Sequence, residues 1–146
     1  MRYCLSILSA IFLMTSCSVE PTPIVYGKDE CAFCIMKIMD ARFGAEAVTD
    51  KGKIYKFDSA ECMVQFTKSK GKEHSYAHLM VTHIHEPEML HSVHESHFVI
   101  SENIPSPMGG NLSSYPSLKD AQKAIADNEG SLFSWDDLIS GKHKNQ

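Results

Sequence analysis

The chain has 146 residues, with 14 Lys and Arg against 18 Asp and Glu and a formal charge of −4 with eight histidines counted neutral. That length holds one compact domain, or two very small halves sharing a core, and the acidic balance without a basic stripe excludes nucleic acid as a partner. Five cysteines are too sparse for a disulfide scaffold.

Arg2 precedes an apolar run, Leu5 to Met14, that carries no charge and is too short to span a bilayer. Residues 1–16 therefore read as a signal peptide. The run closes on Thr15-Ser16-Cys17, a lipobox-like ending in which Cys17 becomes the acylated first residue of the mature protein; cleavage nearby as an ordinary signal peptide is the alternative. This places the protein outside the cytoplasm, lipid-anchored to a bacterial membrane, facing the periplasm or carried on the outer membrane. Residues 17–28 are polar and contain Pro21 and Pro23, the composition of a tether, so the folded part is expected from Asp29.

A first β-β-α-β unit is expected over residues 29–88. Ala45 to Thr49 and Lys53 to Phe57 form its hairpin about the turn Asp50-Lys51-Gly52, Asp58 caps a helix with Glu61 three residues on, and Tyr76 to Ile84 closes the unit. The stretch between Ile84 and His97, with Glu86-Pro87-Glu88, has the composition of a solvated connection. A second unit over residues 89–146 repeats the order: strand His97 to Ser101, loop Asn103 to Gly110, strand Leu112 to Tyr115, a helix capped by Ser117, and strand Leu132 to Trp135. Aligning Tyr55–Ser59 with Ser113–Ser117 keeps one spacing. The class is α+β.

The chemistry concentrates in Cys31-Ala32-Phe33-Cys34-Ile35-Met36, followed by Met39. Thiolate and thioether are soft, polarisable donors that select copper(I), whereas zinc takes thiolate and imidazole and gains little from a thioether. Three alternatives accompany the Cys31-x-x-Cys34 spacing: an extracytoplasmic thiol-disulfide oxidoreductase, half of a zinc site in an adaptor module, and a small structural disulfide. The redox reading expects such a pair to follow a strand and open a helix, and here it precedes the hairpin. Met108 lies in Ile104-Pro105-Ser106-Pro107-Met108-Gly109-Gly110, where prolines and glycines hold the chain out of regular structure. A loop methionine there is either a soft-metal donor or a plug in the core.

Further candidate donors are Met39, Cys62, Met63, His83 and His85. Cys62 shares a helix face with Phe66, so a buried thiol is the simpler reading for it. Histidines crowd residues 74–97, and in a strand His83 and His85, or His91 and His97, would point the same way and suit copper(II) or zinc(II). In a solvated connection they are polar surface.

Taken in order, Cys17 after a signal sequence, Cys31-x-x-Cys34-x-Met36 running into Asp40-Ala41-Arg42-Phe43-Gly44, Gly52 to Asp58 leading to Cys62-Met63, and Ser106-Pro107-Met108-Gly109-Gly110 before Ser113-Ser114-Tyr115 resemble the NosL copper-chaperone lipoproteins. The resemblance implies a fold of two β-β-α-β units and a carrier, not an enzyme. It also implies copper(I) as the cargo, nitrous oxide reductase as the client, and ligands at Cys34 and Met36 with Cys31 as a second thiolate and Met108 as a distant thioether. The histidine-rich segment His83-Ile84-His85 departs from that pattern and leaves open whether a nitrogen donor joins the site.

Overall fold

A computed structural model describes residues 19–70 and 73–142. The proposed signal peptide and Cys17 lie outside them. Strand β1 (Ala45–Thr49) pairs antiparallel with β2 (Ile54–Phe57) and with β3 (Tyr76–His83), and β4 (Glu86–Ser92) completes a sheet of order β2-β1-β3-β4. A 3-10 turn, Val93–Glu95, leads into β5 (His97–Ile100), which pairs with β6 (Leu112–Tyr115) and β7 (Ser131–Phe133) in a second antiparallel sheet of order β6-β5-β7. Helix α1 (Ala60–Ser69) follows β2, α2 (Leu118–Asn128) follows β6, and α3 (Trp135–Ser140) ends the described chain.

The α+β class and the β-β-α-β order of each half are therefore present. Apolar side chains from both halves bury into one cluster: Phe57, Met63 and Phe66 meet Phe98, Leu112, Phe133, Trp135 and Leu138. At about 25 cal/mol per Å² of apolar surface removed from water, such a shared cluster holds the two halves together. Backbone bonds seal the seam, with Ile84 N–H donating to Ser114 O at 3.0 Å and the Ser114 hydroxyl donating to Thr82 O.

Several expectations are corrected. Residues 19–28 are no free tether, because Ile24 is in the core, Thr22 N–H donates to Glu46 Oε1 at 2.8 Å, Val19 O meets His78 Nε2 at 2.9 Å and Lys56 Nζ donates to Pro23 O at 2.8 Å. Prolines cannot pair in a sheet interior, but they lie readily along its side. The supposed solvated connection after Ile84 is β4, an edge strand, where Pro87 and charged residues are tolerated since one row of backbone groups faces solvent. The division expected between residues 88 and 89 falls inside this strand. Ser59, not Asp58, caps α1, accepting from Cys62 N–H at 3.4 Å, just as Ser117 caps α2. The last strand stops at Phe133, because Ser134 and Asp137 form a capping box and turn Trp135 into α3.

Candidate metal centre

Residues 29–38 fold back on themselves, with Ile38 N–H donating to Asp29 O at 3.0 Å and an antiparallel bridge between Glu30 and Lys37. At the tip, Cys31 N–H donates to Met36 O at 2.8 Å and Ile35 N–H to Cys31 O at 3.0 Å. Closing so tight a knuckle drives Ile35 to φ +65°, a left-handed conformation that costs a β-branched residue about 1–2 kcal/mol. Ala32 N–H donates to Lys56 O at 2.8 Å and docks the knuckle on β2. Cys31 thereby faces the start of α1.

There it meets Cys34, Asp58 and Cys62, whose ligand atoms all lie within 4.8 Å of one another. All three cysteines are free thiols; Cys31 and Cys62 are buried and Cys34 is half-buried. Because Ser59 does the capping, Asp58 is left to the cluster, and its Oδ1 is buried without a hydrogen-bond partner. A hydrogen bond from the Cys62 thiol, opposed by burial and reinforced by the backbone N–H groups of Cys34, Asp58 and Phe33, lowers the Cys31 thiol to about 6. Cys31 is thus a thiolate near neutrality. Cys62 is pushed up, first by its hydrogen bond to Cys31, then by burial and by Asp58. Burial raises Cys34, and the hydrogen bond and charge of Cys31 add to it.

The methionines take separate places. Met36 and Met39 are exposed and line a hollow with Asp58, Pro105 and Ser106, while Met108, also exposed, lines another with Phe33, Glu61 and Cys62. Met108 thus shares a hollow with Cys62, Met36 and Met39 share one with Asp58, and Met63 instead is wholly buried in the core. Glu61 holds the Met108 loop, accepting hydrogen bonds from the Ser106 hydroxyl and from Leu112 N–H.

His83 and His85 do not pair. β3 ends at His83 and the chain turns at Ile84, so His85 lies edge-on to Tyr115 with ring centroids 5.9 Å apart. His83 stacks instead on His91 at 4.0 Å, and His97 sits in β5 opposite Tyr115. Sequence reasoning also passed over Asp58 as a cap and undervalued Cys62. Its own alignment of Ser59 with Ser117 carried the signal that would have freed Asp58.

The model of the NosL family matches residues 23–142. This chain belongs to the NosL family. A crystal structure of the copper chaperone NosL from Shewanella denitrificans shares the fold, with a TM-score of 0.71 at 21% identity over 82% of this chain and 95% of that one. No match was found among curated proteins. In this NosL family member the knuckle cysteines and Cys62 form a three-thiol cluster that could hold a metal ion.

Proposed function

We propose that this protein is an extracytoplasmic copper(I) carrier, anchored to a bacterial membrane through lipid on Cys17, that hands its ion to a copper enzyme, nitrous oxide reductase. The observation that carries the reading is the three-thiol cluster flanked by the exposed methionines Met36, Met39 and Met108. Three thiols alone would serve zinc as well; thioethers at the rim serve a soft monovalent ion. The relative from Shewanella denitrificans is itself described as a copper chaperone, which agrees with that donor set.

Cys31 meets the ion already ionised, whereas Cys34 and Cys62 must each lose a proton on ligation, so affinity rises with pH. Cys34, the half-buried thiol, and Met36 beyond it form the accessible side, where a partner's sulfur ligand can replace this protein's ligands one at a time. Copper(I) is content with two or three ligands, so an incoming donor finds room.

A second reading, a zinc-binding module, draws on Asp58, whose unpartnered oxygen would complete the four ligands of a closed zinc site. One titration separates the two. Reduced protein is challenged with copper(I) and zinc(II) against competing chelators, then again as Met36→Leu and Met108→Leu. Copper(I) affinity falls in both variants while zinc binding does not. Copper(I) binding untouched by both changes overturns the thioether argument.

A further inference from the structure

We propose that His83, Glu86 and His91 form a second metal site, separate from the thiol cluster, that takes a borderline divalent cation such as zinc(II). β4 builds it through an irregularity. Pairing runs regularly from Met80 with Ser92 to Thr82 with Leu90 and then shifts, so that His83 faces Glu86; Glu88 at φ +69° absorbs the excess chain. That bulge brings the Glu86 carboxylate against both stacked imidazoles.

The hydrogen atoms can be counted. Ser96 Oγ donates to Ser92 O at 2.8 Å, which commits its only proton. At 2.9 Å from His83 Nε2 it must therefore accept, so Nε2 carries the hydrogen and a neutral His83 presents the bare lone pair of Nδ1. That lone pair points at Glu86 Oε2, 3.3 Å away. A lone pair facing a carboxylate oxygen is repulsive unless a cation lies between them. A proton or a metal ion can fill that role, and the same carboxylate oxygen faces the imidazole of His91 as well.

His91 gives the second observation. Its Nε2 is buried and lies 3.0 Å from the same oxygen, yet at an angle too oblique for a hydrogen bond. Two nitrogens at 3.0 and 3.3 Å from one carboxylate oxygen match the ligand-to-ligand edges of a tetrahedral zinc site, about 3.3 Å for bonds of about 2.0 Å. His83 is buried and locked by Ser96. His91 and Glu86 are partly exposed, so water can fill the fourth position. Two imidazoles and a carboxylate suit zinc(II) or copper(II), not copper(I).

The test uses the full reduced chain with zinc(II) as the probe, followed by NMR of the imidazole nitrogens. Zinc moves the His83 and His91 resonances, and Glu86→Gln and His91→Gln, both at partly exposed positions, weaken that response by at least about tenfold. Cys34→Ser leaves it intact, which keeps the result independent of the thiol cluster. Resonances that ignore zinc, or a response equally strong in both variants, would overturn the proposal; unfolding curves of the variants confirm that they are folded.

Discussion

Glu61 is the residue through which the first half grips the loop of the second, and Glu61→Ala tests that grip. The substitution removes the acceptor of two hydrogen bonds, from the Ser106 hydroxyl and from Leu112 N–H. At about 1 kcal/mol net for each bond, the loss would be about 2 kcal/mol. Two features reduce it. Glu61 Oε2 is buried without a partner, so its removal relieves a desolvation cost, and Ser106 Oγ still accepts from Asn111 N–H at 2.9 Å. A net loss of about 1–2 kcal/mol follows, or roughly 4–8 °C in Tm for a domain of this size. Hydrogen exchange across residues 103–111 rises with it, because Ser106 and Leu112 bracket Met108. Glu61→Gln restores both effects in large part, since a side-chain amide oxygen accepts from the same two donors. Thermal unfolding and hydrogen exchange on the three proteins decide the matter. If Glu61→Ala unfolds within about 1 °C of the parent and its loop exchanges no faster, the carboxylate does not hold the Met108 loop.

Cys62→Ser should lower copper(I) affinity by at least about tenfold in chelator competition, as Cys34→Ser does; an unchanged value would remove Cys62 from the site. Ile35→Gly should stabilise the metal-free protein by up to about 1 kcal/mol, the relief of left-handed strain being partly offset by the greater freedom of glycine in the unfolded chain. A lower Tm in that variant would show that the knuckle is not strained. Glu46 is fully buried, and burial raises its pKa despite the Thr22 N–H, the Lys56 charge and the Thr22 hydroxyl. Because the folded pKa lies above the unfolded one, its stabilisation is complete below the reference value of 4.5 and is lost as pH rises through the folded value. Glu46→Gln, which stays neutral, should therefore gain in Tm over the parent as pH rises from 4 to 7, and a constant difference across that range would contradict the sign.

Much of the fold was legible because it is local. The strand ending at Phe57, the turn at Gly52 and the serine before α2 depend on neighbours a few residues away, and the structure keeps all of them. The knuckle chemistry was legible too, since two thiols and a thioether within six residues must lie close together whatever the rest does. β4 was not, because an edge strand tolerates proline and charge and so lacks the apolar alternation that reveals a buried strand.

By itself, then, the order of residues determined the α+β class, the sulfur side chains gathered in the knuckle and membership of the family. Only the tertiary structure decided which distant groups join them. Cys62 and Asp58 reach Cys31 because β2 and α1 pack under the knuckle, and His91 rather than His85 meets His83 because a bulge in β4 folds Glu86 back. Spacing along a chain specifies what is near within a turn or two; convergence across tens of residues depends on which faces bury together, and that is a property of the packed core.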